Sequence, residues 1–442
     1  MTVSVQYSIA GQTARAIAAS VEQGAREGDL VAGGALPTVR SLAGALSVSP
    51  ATVAAAYRLL KTRGIVATGG RRGTRLSHRP PLATRPAPPV PSHLRNLAEG
   101  NPDPKLLPSL GHAMRQLNER EHLYGEATAH SALVRLGTRD MKTEGVPASH
   151  VAVVGGALDG IERVLQARLR PGDRVAVEDP GYTAVFDLLS AIGLVAEPVA
   201  IDDRGMLPAD LARALATGAS ACIVTPRAQN PTGAAFDAKR VRELRAVLES
   251  HPEALLIEDD HAGPVAGAPA LTLVHPKRER WAVVRSVSKS LGPDLRLALL
   301  AGDALTVARV EGRRALGAGW VSFLLQGIVL RLWSDPATLR GLAAAADAYR
   351  ARREGLIRAL AERGVAARGA SGLNVWIPVP EEGAMLSHLA AEGWAVRAGE
   401  RYRLRTGPAI RVTVSNLRPA ETERLARDIA QGLAGTDRGA VA

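Results

Sequence analysis

The sequence predicts two folds in one chain: an all-α N-terminal domain with a small β wing, then a larger α/β body with a mostly parallel sheet and a smaller α+β region. Three observations predict this. Short β-branched runs alternate with helical stretches from residue 151 onward, the pattern of strands connected by crossover helices. Pro80, Pro81, Pro86, Pro88, Pro89 and Pro91 fall within twelve residues, a density that excludes helix and sheet and marks a linker. Cationic charge is concentrated ahead of that linker. Residues 1–79 hold ten Arg or Lys against Glu22, Glu27 and Asp29, which is +7 of the chain's +12.

From Arg40 to Arg79 there are eight basic residues and no acidic one. Solvated basic faces normally intersperse both signs, so this clustering points to a polyanion, nucleic acid in the first place. The chain of 442 residues, 46% of them apolar, is long enough for more than one core. No run of about 18 uncharged apolar residues occurs, and the start Met1 to Gln6 lacks the pattern of a secretory signal, so a cytoplasmic protein without a membrane partner is expected. The single cysteine, Cys222, lies in an apolar run, which excludes an internal disulfide or cysteine-rich metal site, and no metal is expected.

In the N-terminal domain, Gln12 to Glu27 has helical periodicity. A second helix begins at Leu36-Pro37-Thr38, and the turn Ser47-Val48-Ser49 leads into a third, Pro50 to Arg63, with Ser49 as N-cap and Pro50 at the first helical position. Two helices joined by a three-residue turn are the geometry that seats a recognition helix in a major groove. Ile65 to Leu76, with Gly69, Gly70 and Gly73 amid Arg71, Arg72 and Arg75, reads as a two-stranded wing. Tyr57 reads as a packed core aromatic rather than a DNA contact.

Beyond the linker, strands are expected at Val151–Val154, Arg174–Glu178, Ala196–Ala200, Cys222–Thr225, Leu255–Glu258, Val283–Ser286 and Leu297–Ala301. Open α/β sheets bind ligands past the carboxyl ends of their strands. The residues there are Gly155-Gly156-Ala157-Leu158 opening a helix, Glu178-Asp179-Pro180-Gly181-Tyr182, Asn230-Pro231-Thr232-Gly233, Asp259, and Ser286-Val287-Ser288-Lys289 with Arg296 seven residues on. The chain has only six lysines against 49 arginines, and an aldehyde cofactor requires the primary amine that arginine lacks. Long Arg/Ala/Leu helices from about Ala337, strands near Asn374–Ile377 and Ile410–Ser415, and a last helix near Glu421–Leu433 complete the smaller region.

Leu36-Pro37-Thr38-Val39-Arg40-Ser41-Leu42-Ala43, then Thr52-Val53, Ala56-Tyr57 and Gly64, resembles the winged helix-turn-helix of the GntR family. The resemblance implies that Arg40, Ser49 and Thr52 contact operator phosphates and that Arg71, Arg72 and Gly73 of the wing reach the minor groove or backbone. Such contacts position the protein and carry little sequence readout. Pro50, Ala51 and Ala54 offer no base-reading donor, so shape and methyl contacts gain weight.

Tyr124-Gly125, Pro180-Gly181-Tyr182, Asn230 to Gly233, Asp259, Ser286 to Lys289, Arg296 and Arg411 resemble fold-type I aminotransferases in order and spacing, and with the GntR-like head the whole chain resembles the MocR subfamily of regulators. That resemblance implies pyridoxal 5'-phosphate as cofactor, held as a Schiff base by Lys289, with Asp259 facing the pyridine nitrogen, Asn230 donating to the phenolic oxygen and Tyr182 stacking on the ring. Ser286, Arg296 and the amides of Gly156, Ala157 and Leu158 would hold the phosphate, with Ser288 among the contacts. Arg411 would clamp an effector's α-carboxylate. A homodimer is implied, Tyr124 serving the partner's site. His261 departs from the family pattern, which often has a tyrosine there, and Ala129, Ala157 and Leu158 depart as well.

The implied domains are 1–79, a linker 80–95, and 96–442, with a large subdomain of about 125–320 and a small one of about 96–124 and 321–442. The function implied is a regulator that binds DNA and senses pyridoxal phosphate, or the aldimine it forms with an amino compound, in vitamin B6 or amino-acid and amine metabolism. An active aminotransferase with an accessory N-terminal domain, or a DNA-binding protein with an inert body, are the alternatives.

Overall fold

A computed structural model describes residues 8–439 apart from 32, 63, 69–72, 77–88 and 119. Arg71, Arg72 and residues 80–88 of the expected linker lie outside the described residues. Packing divides the chain into two units, residues 1–88 with 169–175 and 183–196, and residues 89–168 with 176–182 and 197–442.

The N-terminal part comprises α1 (Ala14–Glu27), α2 (Val39–Leu46), α3 (Pro50–Thr62), and the antiparallel strands β1 (Val66–Thr68) and β2 (Thr74–Leu76). Each helix start is set by a hydroxyl that satisfies a backbone N–H with no helical partner. Thr13 accepts from Ala16 N–H, Thr38 from Ser41 N–H and Ser49 from Thr52 N–H. The Thr13 cap places the start of α1 two residues later than periodicity alone suggests. Ser47 adopts a left-handed conformation (φ 54°) and closes α2, so that Ser47-Val48-Ser49 is the tight turn of a helix-turn-helix. Ile17, Val21, Leu42, Val53, Leu60 and Leu76 form the core, which three helices and the wing share. Tyr57 is buried among them and donates its hydroxyl to Pro37 O at 2.7 Å; burial pushes its pKa up to about 12.

The body begins with β3 (Arg95–Asn96), α4 (Leu110–Arg115) and α5 (Ser131–Thr143). It continues with β4 (His150–Val154), α6 (Ala157–Arg168), β5 (Arg174–Asp179), α7 (Thr183–Ala191), β6 (Val195–Asp202), β7 (Gly205–Met206), α8 (Pro208–Ala216), β8 (Ala219–Val224), α9 (Ala238–Glu249), β9 (Leu255–Asp260), β10 (Trp281–Ser286) and β11 (Ala298–Gly302). These strands form one eight-stranded sheet in the order β4-β11-β10-β9-β8-β5-β6-β7. Strands β8, β9 and β10 pair in parallel, and β11 runs antiparallel to both β10 and β4, so β4 shares the direction of the parallel group. All seven sequence-expected runs are strands. β7 is a two-residue addition, too short for any pattern to reveal.

The remaining elements are α10 (Ala304–Ala315), α11 (Phe323–Ser334), α12 (Pro336–Ala361), β12 (Asn374–Pro378), α13 (Glu382–Ala391), β13 (Trp394–Ala395), β14 (Arg397–Ala398), β15 (Ala409–Thr413) and α14 (Thr422–Gly439). β12, β15 and β14 form a small antiparallel sheet, and β13 pairs in parallel with β3. Two apolar cores result. The larger surrounds the main sheet and includes Leu256, Val283, Leu299 and Val329; the smaller includes Leu97, Val375, Ile410, Val412 and Ile429. The long helix α12 serves both, with Leu342, Ala345 and Tyr349 in the first and Leu356, Ala359 and Leu360 in the second. Among the described residues no helix is long and apolar enough to cross a membrane.

Candidate cofactor site

The site lies past the carboxyl ends of the parallel strands. β9 ends in Glu258-Asp259-Asp260, and strand alternation sends Asp259 to the face opposite its two neighbours. On that other face Asp260 accepts from Arg227 (Nε 3.0 Å, Nη2 2.8 Å) and from Arg285 Nε (3.0 Å), which hold its carboxyl far below the usual range. Glu258 accepts from the Thr272 hydroxyl at 2.9 Å and from Leu273 N–H. Asp259 is buried, and its Oδ1 has no hydrogen-bond partner among the described residues. Burial, then the charges of Asp260 and Glu178, push its pKa up to about 7.

Lys289 stands in the turn after β10, and its amine donates to Gly100 O at 2.6 Å. Burial, with the Arg411 guanidinium nearby, brings its pKa down to about 8. His261 Nδ1 lies 4.0 Å from Asp259 Oδ2; burial, with a smaller push from Lys289, lowers its pKa to about 4, so the ring is neutral. A neutral imidazole replaces the phenol that the resemblance implies, and it can donate through one nitrogen while the other accepts.

Ser286 and Ser288 share a hydrogen bond at 2.9 Å between their hydroxyls. Arg296, which follows a short 3-10 turn, takes a left-handed conformation (φ 41°) and brings its Nη2 within 3.5 Å of Gly155 O. Gly156 has φ 110°, a conformation that favours glycine, and a Cβ there would sit 3.0 Å from that same nitrogen. The N-terminus of α6 at Ala157 and Leu158 presents backbone N–H groups close to that guanidinium, donors suited to a phosphate.

Asn230 Oδ1 accepts from Arg411 Nη1 at 3.1 Å. Arg411 is buried, its second arm donates to Ala98 O, and its plane lies 4.8 Å over the Tyr402 ring. Tyr182 is about one-third exposed (37%) at the mouth of the crevice. Burial and the Asp259 carboxylate raise its pKa while Arg411 and Arg296 oppose that rise, which puts all four groups in one field.

The crevice thus brings together Lys289, Asp259, His261, Asn230, Tyr182, Arg296, Gly156 and Arg411, with Ser286 and Ser288 on the chain just ahead of Lys289. Tyr124 stands apart, 92% exposed, with its ring edge on Trp320 at 5.3 Å. Sequence reasoning missed Ala98 and Gly100, whose backbone carbonyls meet Arg411 and Lys289. It also missed Gln229, which ties Glu178 to Pro180 O, and Tyr402. A main-chain carbonyl has no side-chain signature, and no residue type could have pointed to either. In the head, Arg40 and Ser49 are exposed, Thr52 is half-buried, and Gly73 is exposed with φ 75°.

A model of the bacterial regulatory proteins of the gntR family matches residues 13–76, and one of aminotransferase class I and II matches residues 92–429. The chain belongs to the GntR-type regulators that carry an aminotransferase domain. The vitamin B6 salvage pathway transcriptional repressor PtsJ of Salmonella typhimurium is 40% identical over 429 residues, covering 96% of this chain and 99% of that protein. The HTH-type transcriptional regulator TauR of Rhodobacter capsulatus is 28% identical over 439 residues, covering 86% and 88%. An archaeal alanine:glyoxylate aminotransferase shares the fold of the body, with a TM-score of 0.71 over 77% of this chain and 91% of its own at 21% identity. As a member of this family the protein is a DNA-binding regulator whose body has the fold of pyridoxal-phosphate enzymes.

Proposed function

We propose that the body captures pyridoxal 5'-phosphate on Lys289 and that the cofactor, alone or joined to an amino compound, tunes operator binding by the head in vitamin B6 salvage. The observation that carries this is Asp259, a buried carboxylate with an open valence in the same strand-end crevice as a lysine amine near pKa 8. When bound, the cofactor supplies an aldehyde carbon for an amine and an electron-poor ring whose nitrogen carries a proton. The residues do the rest. Asp259 accepts the ring N–H, Arg296 with Ser286, Ser288 and the 156–158 amides neutralise the phosphate, and Tyr182 covers one ring face. Asn230 and His261 serve the phenolic oxygen.

Arg411 serves an α-carboxylate once that group displaces Ala98 O and Asn230 from its two arms. In the head, Arg40, Ser49 and Thr52 lie on operator phosphates, and Gly73 of the wing reaches the minor groove or backbone. Two copies pair, each Tyr124 completing the other's crevice. The 40% identity to a regulator named for vitamin B6 salvage supports the pathway.

The test joins two measurements. Borohydride reduction of the cofactor-treated protein followed by peptide mapping should label position 289, and operator affinity should differ between cofactor-free and cofactor-loaded protein. A label elsewhere, or equal affinities, refutes the reading. Sustained keto-acid production without operator binding would make the protein an enzyme instead.

A further inference from the structure

Residues 97–103 run between the two cores of the body, and four carbonyls of this stretch are gripped. Thr413 N–H donates to Leu97 O at 2.8 Å, the Arg411 guanidinium to Ala98 O, and the Ser415 hydroxyl to Asn101 O at 2.6 Å. All three donors lie in β15 or within two residues of its end, on the small core that also buries Leu97. The carbonyl between them, Gly100 O, is held by Lys289 Nζ at 2.6 Å, just past the end of β10 of the main sheet. At the far end of the stretch, Asp103 N–H donates to the Tyr349 hydroxyl at 3.1 Å and its carboxylate meets Arg352 at 3.0 Å, both on α12.

We propose that residues 97–103 are a strap latched to the end of β10 by the Lys289–Gly100 hydrogen bond, and that cofactor capture opens this latch and loosens the strap between its remaining ties to β15 and α12. This rests on the cofactor reading above. Capture removes the donor by stoichiometry. The neutral Nζ attacks the aldehyde carbon, a C–N bond forms, and the aldehyde oxygen departs as water with both amine hydrogens. A C=N bond remains, and the nitrogen keeps neither of the hydrogens it offered to Gly100 O. Gly100 is partly exposed, so water satisfies its carbonyl after release and the opening is not opposed by a buried unpaired group. The three ties to β15 are chemically untouched. The bond made at Lys289 therefore removes the strap's tie to the end of β10 and leaves it held by β15 and, through Asp103, by α12.

Hydrogen–deuterium exchange on the full chain tests this, with cofactor uptake followed in parallel by absorbance. In wild type, exchange in a peptide covering 97–103 should rise about 2- to 10-fold on loading, the size expected for one lost hydrogen bond. Lys289→Ala should exchange fast with or without cofactor. Lys289→Arg keeps a donor but cannot condense, and should stay slow in both conditions. Uptake by wild type with unchanged or reduced exchange over 97–103 overturns the latch. So does slow exchange in cofactor-free Lys289→Ala. If wild type takes up no cofactor at all the cofactor reading fails, and the comparison of cofactor-free wild type with Lys289→Ala still decides the latch.

Discussion

The rate at which this protein captures pyridoxal phosphate should follow the titration of one amine. Lys289 is brought to about pKa 8 from the usual 10.5 because burial disfavours the ammonium and the Arg411 guanidinium repels it. At pH 7 about one such amine in eleven is neutral, against about one in three thousand at the unshifted value, so the site raises the reactive fraction about 300-fold. Only the neutral form attacks an aldehyde. The second-order capture rate should therefore climb about tenfold per pH unit between 6 and 7, bend near 8 and be level by about 9.5. Arg411→Met removes the repelling cation, which moves the bend upward and slows capture at pH 7, while the plateau rate is little changed. Stopped-flow absorbance after mixing protein with cofactor measures all of this. A profile that is flat from pH 6 to 8.5, or one that bends at 10 or above, would refute the argument.

Four further outcomes are expected. Asp259→Asn removes the charged acceptor for the ring nitrogen and should weaken equilibrium cofactor binding by roughly 10- to 150-fold in an absorbance titration, a loss of about 1.5–3 kcal/mol. Tyr57→Phe deletes the hydrogen bond to Pro37 O and should lower the stability of the head by about 1 kcal/mol in thermal unfolding, with operator contacts intact. Gly233→Ala places a Cβ 2.6 Å from Ser371 O at φ 73°, and urea unfolding should show the body weakened by more than about 1 kcal/mol. Arg40→Ala should weaken DNA binding about equally for all sequences and reduce the salt-dependence slope by about one, the behaviour of a phosphate contact.

The parts of the fold legible from sequence were those whose signal is local. Seven strands were found because each is a short apolar run with its partners elsewhere, and the head helices because of their periodicity and, for the third, because Ser49 is a residue type that caps. Site residues at strand ends followed from the rule that parallel sheets open there. What stayed hidden depends on pairing across the chain. The strap at 97–103 meets donors at 289, 411, 413 and 415, and nothing in its own composition marks it.

The triplet Glu258-Asp259-Asp260 shows the division most clearly. All three carry a carboxylate on a buried strand, and the alternation that identifies the strand also separates the middle residue from the outer two. Which of them serves a cofactor is then decided by distant partners. Arg227 and Arg285 saturate Asp260, Thr272 and Leu273 bind Glu258, and Asp259 alone keeps an oxygen without a donor. The neighbours also act on it through the sheet. Burial first, and then Asp260, fixed as an anion by two arginines, hold the Asp259 proton affinity high on the opposite face. Near neutral pH the carboxyl is therefore poised between its protonated and ionised forms until a cationic ring nitrogen stabilises the charge. Asp259 thus favours a ligand that brings both a proton and a positive charge, which a neutral aromatic of the same shape does not.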